Sequence, residues 1–475
     1  MSVLDIARGA YVRSPKVLRD AVSPALALLP VSLKYGRAYQ AWREAIAVSR
    51  IDPAFTQERR LGALRSLLTK ARAGSPFWRE RIEHAFGPRC DLMRATFDDL
   101  WALPVLTKDD LREASEAALA QPPATLDRAS TSGSSGQPLL FWLDKDRSPR
   151  EFAFLNDVWS RTGYREGDAR CVLRGLLLAD IDRRPFEWEA GLKELRCSPF
   201  AMTDARMDLY LDMIERRGIA YLHGYPSSIE IMCRHMWRRE WQPKRPIRGV
   251  FPISEPLYAH QRDVIRAALP HAAIAPFYGL SEHVLFASES HGEEDVYAFE
   301  PLYGYAELID EGGAPVVRPG HRGRIVGTGF ISTGMPFIRY ETGDTAELVE
   351  LPSEANAWRL RVGAIVPRRQ PEFLIGAEGN RIVTPTIVPV HPDKFFGVSE
   401  FQFYQDTPGR AVLKVVPAAG CGEAEARLFI DEIQSRVGAG VRFDLALVNE
   451  LAGHARGKRP FIDQRLDLAQ FGGAA

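Results

Sequence analysis

The sequence predicts an α/β protein: a large N-terminal domain with parallel α/β sheets and a small barrel-like β part, and a small α+β C-terminal domain. From about residue 204 to 282, short apolar runs alternate with amphipathic helical segments, a pattern typical of a parallel α/β unit. From about 296 to 350, strand-like runs are separated by glycine-rich turns, which predicts an antiparallel sheet or barrel. A basic, proline-containing stretch at 366–371 precedes a last segment of mixed helix and strand pattern. We place a domain boundary at this stretch.

Length and composition describe an ordinary folded protein. The 475 residues allow two to four domains, and a content of 45% apolar and 26% charged residues is typical of globular chains. Because 61 basic residues balance 61 acidic ones, no overall field favours a nucleic acid or an anionic membrane, and we expect no nucleic-acid partner. The five cysteines contain no C-x-x-C pair. Neither a disulfide framework nor a cysteine zinc site is predicted, and a cytoplasmic location fits best.

The first hundred residues are predicted to be helical. Apolar residues recur at helical spacing over 61–71, and Thr107 to Asp110 has the pattern of a capping box for a further helix. The most apolar N-terminal stretch, Ala21 to Leu33, is short and contains two prolines, so it predicts neither an export signal nor a membrane span. It is interpreted as an amphipathic helix resting on a neighbouring domain, with transient membrane contact as the alternative.

The predicted parallel unit alternates three helices with three strands. The helices are expected over 204–217, 227–239 and 256–269, and the strands over 219–222, 247–251 and 273–277. Polar loops that contain glycine or proline follow these strands, at 223–226, 254–256 and 278–282. Since ligands of doubly wound sheets bind outside the carboxyl ends of the strands, the loops predict one shared pocket that includes His223, Tyr225 and Pro226. The alternative is that they are ordinary βα turns.

The most distinctive local feature is a loop rich in serine, threonine and glycine at 130–138. Glycines let backbone N–H groups close around an anion, and hydroxyls add donors, which suits a polyphosphate tail. The loop is not a Walker motif, because Gln137 stands where that motif has its lysine. A flexible linker is the alternative. The apolar run that begins at Leu139 argues against a linker, since it predicts that a strand starts at once.

Four segments occur together in an order that carries a family resemblance. They are the loop at 130–138, Tyr278-Gly-Leu-Ser-Glu282, Tyr340-Glu-Thr-Gly-Asp344 and Gly457-Lys458. With them, the chain resembles the adenylate-forming superfamily of acyl-CoA synthetases and adenylation domains. It looks most like the phenylacetate-CoA ligase branch, including relatives from capsule and exopolysaccharide clusters. Segments 75–78, 103–110 and 254–256 add to the resemblance, which extends over most of the chain from about residue 60.

The resemblance implies a domain organisation and a nucleotide site. A helical N-terminal region, 1–104, packs on the large domain; 105–366 form the ATP- and acyl-binding core; and 367–475 form a hinge and a mobile C-terminal domain. The implied nucleotide-binding residues are Thr131, Ser132, Gly133, Ser134, Ser135, Gly136, Ser254, Glu255, Pro256, Tyr278, Gly279, Asp344 and, at the hinge near the ribose, Arg369. The implied catalytic residues are Lys458 and Glu282.

Each implied role fits the chemistry of its side chain. The Ser/Gly loop would cradle the β- and γ-phosphates of ATP, Tyr278 would line the adenine pocket, and Glu282 would help to hold Mg²⁺. Ribose hydroxyls need a fixed acceptor, and the carboxylate of Asp344 supplies one. Adenylation spreads negative charge over phosphoryl oxygens, so catalysis needs cations and N–H donors at those oxygens. Lys458 would bring such a cation to the reacting carboxylate.

Two departures from the family pattern concern the hinge and a zinc cluster. The family's hinge aspartate falls on Glu372, and the following loop, 376–380, is longer than in phenylacetate ligases. Some relatives carry a cysteine–histidine zinc cluster after the segment that ends at Glu282. Here His283 and His291 follow that segment without a cysteine, so we expect no zinc and a surface or packing role for both histidines.

The resulting functional reading is an ATP- and Mg²⁺-dependent ligase that converts a small carboxylic acid to an acyl-adenylate with release of pyrophosphate. The acyl group is then transferred to an acceptor, for which coenzyme A is the first expectation. The pocket residues favour an aromatic or medium-sized acid, and a homodimer is compatible with the sequence. One alternative is transfer to a carrier thiol or to an amine of a sugar. A second is a non-catalytic nucleotide-binding protein on the same fold.

Overall fold

The computed structural model describes residues 31–131, 139–175, 178, 184–200, 202–368, 372–383, 398–418, 420–451 and 462–471. Several residues named above lie outside these ranges: Ser132, Gly133, Ser134, Ser135, Gly136, Arg369, Lys458 and the first 30 residues. The architecture is α/β, with a large N-terminal and a smaller C-terminal part, as the sequence predicts. Within the described ranges, no helix is long and apolar enough to cross a membrane.

Helices and strands are numbered here in chain order. The helices are α1 (Val31–Ser49), α2 (Pro53–Gly74), α3 (Pro76–Phe86), α4 (Lys108–Ala114), α5 (Arg147–Ser160), α6 (Asp204–Arg217), α7 (Pro226–Arg238), α8 (Ala259–Ala268) and α9 (Glu423–Val437). The strands are β1 (Leu126–Ser130), β2 (Leu140–Asp144), β3 (Arg170–Leu173), β4 (Phe186–Glu189), β5 (Glu194–Cys197), β6 (Tyr221–Gly224), β7 (Gly249–Pro252), β8 (Ala273–Ile274), β9 (Phe277–Gly279), β10 (Phe286–Glu289), β11 (Val296–Phe299), β12 (Gly304–Ile309), β13 (Arg322–Gly329), β14 (Tyr340–Glu350), β15 (Arg361–Val366), β16 (Phe373–Ile375), β17 (Arg381–Val383), β18 (Val398–Thr407), β19 (Arg410–Pro417), β20 (Arg442–Leu447) and β21 (Ile462–Gln464).

The N-terminal helices pack on the large domain, and their starts are fixed by capping residues. Ser75 caps α3 by accepting a hydrogen bond from the backbone N–H of Trp78, which satisfies one donor of the free helix end. The indole of Trp78 is fully buried and donates to the carbonyl of Pro336, at 3.1 Å. Apolar residues of α2 and α3 share one hydrophobic core with the antiparallel sheet. In the described ranges, residues 31–86 thus form three helices, two of which share a core with the antiparallel sheet.

The parallel unit is present, with shifted strand ends. Its sheet has the order β4-β5-β3-β6-β7-β8, in which β4 is antiparallel and the other pairings are parallel. Helix α6 has the predicted bounds, Asp204–Arg217. The predicted strand 219–222 was placed too early: the strand is Tyr221–Gly224, so His223 lies within it, opposite Phe251, and not in the following loop.

The predicted strand 273–277 is divided between two sheets. Ala273–Ile274 ends the parallel sheet, whereas Phe277–Gly279 begins the antiparallel one. Pro276 lies between them, and a proline has no N–H with which to continue a ladder. The Tyr278 motif is therefore carried by the antiparallel sheet and not by a loop after a parallel strand.

The antiparallel sheet has the order β12-β13-β14-β15-β11-β10-β9 among the described strands. This confirms the sheet expected over 296–350 and extends it at both sequence ends. The predicted strand 345–349 is longer in the structure, Tyr340–Glu350, so the motif that ends at Asp344 lies inside a strand. The pairing of β13 with β14 shifts register between Val326–Glu341 and Arg324–Thr345. Three residues of β14 therefore bulge opposite one residue of β13.

The C-terminal part is a small α+β unit, as predicted. Strands in the order β20-β19-β18-β21 carry α9 on one face, and β16 and β17 form a separate hairpin. The apolar core of this unit also includes Phe200 of the large part. The exact domain limits, and movement about the hinge, remain predictions.

Gly304, at the start of β12, lies so close to the backbone of neighbouring segments that no side chain would fit at this position. A Cβ atom there would lie 2.3 Å from the carbonyl oxygen of Val284 and 2.9 Å from that of Thr328. We expect Gly304→Ala to lower the free energy of unfolding by about 1–3 kcal/mol, because backbone must move to admit the methyl group. Urea unfolding followed by tryptophan fluorescence measures the change.

Gly312→Ala is the matched control, since a Cβ there meets nothing closer than the Asp310 carboxylate at 3.4 Å. Equal stability of the two variants would show that the approach of β12 to residue 284 does not constrain the fold.

Candidate active site

Two hydrogen bonds between tyrosines and carboxylates bring together the motifs that end at Glu282 and Asp344. The Tyr278 hydroxyl on β9 donates to Asp344 Oδ2 at 2.8 Å. The Tyr340 hydroxyl, at the start of β14, donates to Glu282 Oε1 at 2.7 Å. Glu282 is only 5% exposed. The side chains of both motifs therefore form one polar cluster beside the antiparallel sheet.

The bulge in β14 sets the position of Asp344. Thr342 donates its hydroxyl to the carbonyl of Ile325 and accepts the Asp344 N–H, at 3.0 and 3.1 Å. Gly343 has a φ of +88°, a backbone conformation that favours glycine. Burial raises the pKa of the Asp344 carboxyl, while hydrogen bonds from the Arg368 N–H and the Tyr278 hydroxyl act in the opposite direction. The Asp344 carboxylate is thus a hydrogen-bond acceptor whose orientation is fixed by its two donors.

The segment predicted to form a hinge reaches this aspartate. The Arg368 N–H donates to Asp344 Oδ1 at 3.0 Å, and a Cβ on Gly343 would meet the Arg368 side chain at 2.7 Å. The residue expected near the ribose, Arg369, is the next residue in the chain and lies outside the described part. Nearby, Glu372, the predicted counterpart of a hinge aspartate, accepts a hydrogen bond from the N–H of Ile462 at the start of β21.

Lys108 joins this polar cluster, although it is not among the site residues predicted from the sequence. Its Nζ lies 3.7 Å from Glu282 Oε1, and its charge favours the ionised form of Asp344. It is the first residue of α4, whose start is fixed by the predicted capping box of Thr107 and Asp110. Segment 103–110 was recognised as part of the resemblance, but its pattern indicated only a helix start. The contact between Lys108 and Glu282 is formed only in the tertiary structure, so the local sequence pattern does not predict it.

The Ser/Gly loop is carried by a hairpin. Strands β1 and β2 pair in antiparallel fashion from Leu126 opposite Asp144 to Ser130 opposite Leu140. At the neck of the loop, the Thr131 N–H donates to the carbonyl of Leu139, and the Leu139 N–H donates to the Thr131 hydroxyl, both at 3.0 Å. The strand expected directly after the loop is therefore present, at Leu140–Asp144, while residues 132–138 of the loop lie outside the described ranges.

The Ser254–Glu255–Pro256 turn is joined to the start of α7. Ser254 has a left-handed φ of +67°. Ser227 donates its N–H and its hydroxyl to the two carboxylate oxygens of Glu255, at 3.2 and 3.1 Å. Burial raises the pKa of Glu255 to about 7, against which these hydrogen bonds act. The loops that follow β6 and β7 are thus neighbours, as the shared-pocket prediction requires.

The proposed acyl-pocket residues lie at the carboxyl end of β6. The imidazole of His223 is buried against the ring of Trp159, with 5.0 Å between the centroids, and neither ring nitrogen has a hydrogen-bond partner. Burial holds the pKa of His223 well below its usual range, and Arg170 and Arg174 act in the same direction. The Tyr225 hydroxyl accepts the Gly175 N–H at 2.8 Å, and Pro226 is the first residue of α7.

A second polar cluster adjoins Glu282. His283 Nδ1 lies 3.1 Å from Glu151 Oε2 and 3.3 Å from the Tyr303 hydroxyl. The Tyr303 hydroxyl also donates to Glu151. The sequence reading expected a surface or packing role for this histidine. The structure instead places it between a carboxylate and a phenol, in contact with both.

The carboxylate of Glu282 is a suitable ligand for a magnesium ion that also binds the phosphates of a nucleotide. Mg²⁺ is usually held by one or two carboxylates plus substrate phosphates, and Glu282 is a buried carboxylate whose Oε1 already has its tyrosine donor. In the described part of the chain, no group of three or more histidine, cysteine, aspartate or glutamate side chains could hold a metal by itself. A metal at this site would therefore take its further ligands from a substrate and from water.

Comparison with known proteins gives one sequence relative and a set of related folds. No protein-family profile matches the chain. Protein CapK of Staphylococcus aureus is 22% identical over 377 residues, which cover 78% of this chain and 81% of that protein. A 2-hydroxyisobutyryl-CoA ligase, solved with the acyl-AMP and CoA in the thioesterification state, is similar with a TM-score of 0.51, 19% identity and coverage of 87% and 90% of the two chains.

The same ligase in its postadenylation state gives a TM-score of 0.50 at 18% identity, with coverage of 89% of this chain and 92% of that one. The chain therefore has the fold of the adenylate-forming enzymes.

The raised pKa of Glu255 predicts a pH-dependent stability. An unfolded glutamate titrates near 4.5 and the folded one near 7, so the folded state binds more protons between these values and loses stability as the pH rises. Relative to the wild type, Glu255→Gln should gain about 2–3 kcal/mol in unfolding free energy between roughly pH 5 and pH 8. Urea unfolding at several pH values measures this difference. A constant difference would show that Glu255 ionises normally in the fold.

Proposed function

We propose that this chain, which has the fold of the adenylate-forming enzymes, activates a carboxylic acid with ATP. In this reaction a carboxylate oxygen attacks the α-phosphorus, the bond to pyrophosphate breaks, and an acyl-adenylate forms. The observation that carries the proposal is the pair of tyrosine–carboxylate bonds that gathers Asp344 and Glu282 at one place. They supply an acceptor for a ribose and a ligand for a metal–phosphate group, beside the hairpin of the Ser/Gly loop.

Asp344 suits the ribose because its carboxylate is oriented before a nucleotide arrives. The Tyr278 hydroxyl and the Arg368 N–H each occupy one of its oxygens, and each oxygen keeps a further lone pair for a hydroxyl donor. We assign Tyr278 and Gly279, with the turn at 254–256, to the adenine. Arg369 is proposed beside the ribose, next to the residue that contacts Asp344.

At the phosphate end, charge complementarity supports the assignment. We propose that Glu282 holds Mg²⁺, which would supply Lewis-acid stabilisation of the phosphate charge. Lys108, 3.7 Å from Glu282, adds a second positive charge for the phosphoryl oxygens. Thr131 and the loop residues Ser132 to Gly136 are proposed to bind the β- and γ-phosphates. Lys458 is proposed to reach the reacting carboxylate from the C-terminal domain.

The location of the acyl group and the chemical class of the acceptor are also proposed. We propose that the acyl group lies near His223, Tyr225 and Pro226, where strands of the parallel sheet end. Two acceptors are candidates. Analogy with the ligase of similar fold favours coenzyme A, and the His283–Glu151 contact favours an amine.

A pyrophosphate-release screen tests the proposed function. Aryl, short-chain, fatty and amino acids are each supplied with ATP and Mg²⁺, with and without coenzyme A. Acid-dependent release of pyrophosphate and AMP is expected for at least one class. Release of orthophosphate with ADP would contradict adenylation, and nucleotide binding without turnover across all classes would favour the non-catalytic alternative.

Asp344→Ala tests the nucleotide assignment. A lost hydrogen bond to a charged group contributes roughly 1.5–3 kcal/mol, so ATP affinity should fall by about 10- to 150-fold. Isothermal titration with ATP on the folded variant measures the affinity. Asp431→Ala, which removes an exposed aspartate on α9, is the control and should bind ATP as the wild type does. If the two variants bind equally well, Asp344 does not contact the nucleotide.

A further inference from the structure

We propose that His283 is the general base of the acyl-transfer step, that Glu151 and Tyr303 position it, and that the acceptor it serves is an amine. The inference rests on the proposed adenylation function and extends it to the second half-reaction. In this step the acyl group passes from the adenylate to the acceptor, and no base for it has been assigned among the nucleotide-site residues.

The contacts of His283 fix one tautomer of its ring. Glu151 Oε2 lies 3.1 Å from Nδ1, and a carboxylate can only accept, so Nδ1 carries the proton. Nε2 then carries the lone pair, and it has no hydrogen-bond partner in the part of the chain that the structure describes. Many enzymes activate a nucleophile in this way: a carboxylate accepts a hydrogen bond from one imidazole nitrogen and orients the ring, and the other nitrogen acts as the base.

Glu151 is itself held in place. The Tyr303 hydroxyl donates to it, and Tyr303 is 1% exposed. Its ring packs on Phe154, one turn along α5 from Glu151, with 5.1 Å between the centroids. The histidine side chain keeps 21% of its surface exposed and that of Glu151 keeps 19%. The orienting group is therefore anchored in the core, while the base remains accessible to a second substrate.

The position of His283 in the chain puts its backbone next to the proposed metal and phosphate ligand. It directly follows Glu282, the residue proposed to hold the metal and phosphates, and consecutive Cα atoms lie only about 3.8 Å apart. Helix α5, which carries Glu151, begins three positions after β2 of the phosphate-loop hairpin. His283 has a left-handed φ of +54°, which is unfavourable for a residue with a side chain. This backbone turn aims residues 282 and 283 at separate partners, Tyr340 and Glu151.

The proposed step balances as follows. The nitrogen lone pair of a neutral amine attacks the carbonyl carbon of the acyl-adenylate and forms a C–N bond. The carbon–oxygen bond to AMP breaks, and AMP leaves with the electron pair. The nitrogen must also lose a proton to give a neutral amide, and His283 Nε2 takes that proton.

A thiol acceptor makes less demand on such a base. Thiols ionise at about 8.5, so an appreciable thiolate fraction exists near neutral pH, and the thiolate is the nucleophile. No proton remains on the sulfur after attack. A positioned histidine–carboxylate pair beside the adenylate thus favours the amine as acceptor.

Two substitutions separate a catalytic role from a structural one. His283→Asn retains an N–H donor for Glu151 and a residue type that tolerates a left-handed φ, but it has no basic nitrogen. His283→Gly relieves the backbone and leaves space beside Glu151 into which free imidazole can bind. His291→Asn is the matched control, because His291 lies exposed in a turn.

The experiment measures the two half-reactions separately. Pyrophosphate exchange first identifies an accepted acid. Its synthetic acyl-adenylate is then supplied to each protein with 2-aminoethanol, glycine or glucosamine as amine probes, or with coenzyme A, and amide and thioester are quantified by mass spectrometry. Amide formation should fall on the order of 10²-fold or more in both His283 variants. Imidazole should restore it in His283→Gly but not in His283→Asn, and the His291→Asn rates should equal those of the wild type.

Several results would overturn the inference. They are amide formation that is equal in wild type and variants, a wild type that forms thioester but no amide from any probe, or a loss in His283→Gly that imidazole does not restore. The proposed function fails in a different way, through the absence of acid-dependent pyrophosphate exchange in the wild type.

Discussion

Two carboxylates, the buried Glu282 and the half-buried Asp344, are the constraint on which the rest of this structure depends. A charge removed from water must find donors, and leaving one unpaired costs several kcal/mol. The donors come from separate parts of the chain: Tyr278 and Tyr340 on two strands, Arg368 at the hinge, and Lys108 on a capped helix. The hydrogen bonds and the ion pair of these carboxylates therefore join the antiparallel sheet, α4 and the predicted hinge segment around one polar cluster.

The segment from Phe277 to Phe286 carries this constraint between the two sheets of the large domain. It enters from the parallel sheet across Pro276 and joins the antiparallel one. On the way, consecutive residues turn to different partners, with Glu282 bound to Tyr340 and His283 to Glu151. One short segment thereby contributes both to the proposed adenylation chemistry and to the proposed transfer chemistry. Gly304 permits the close packing of this segment, because its missing side chain leaves room for the carbonyl of residue 284.

The sequence predicted what local patterns determine. Helix α6, the capping box at Thr107, the strand after the Ser/Gly loop and the alternation of the parallel unit all follow from short-range periodicity or capping chemistry. The approximate composition of the site came from the family resemblance. Lys108 and Glu151 were missed because their partners lie far away in the chain and no spacing rule links them. His223 was assigned to a loop because its strand runs two residues further than its apolar pattern indicates.

In the proposed reaction, an oxygen of the carboxylic acid becomes bonded to the α-phosphorus of ATP at this site. The most direct measurement follows the fate of that oxygen, using an accepted acid whose carboxylate carries the heavy isotope of oxygen. After complete transfer to the acceptor, mass spectrometry of the nucleotide product should find one labelled oxygen in AMP. Label in orthophosphate, or AMP that carries none, would contradict the account.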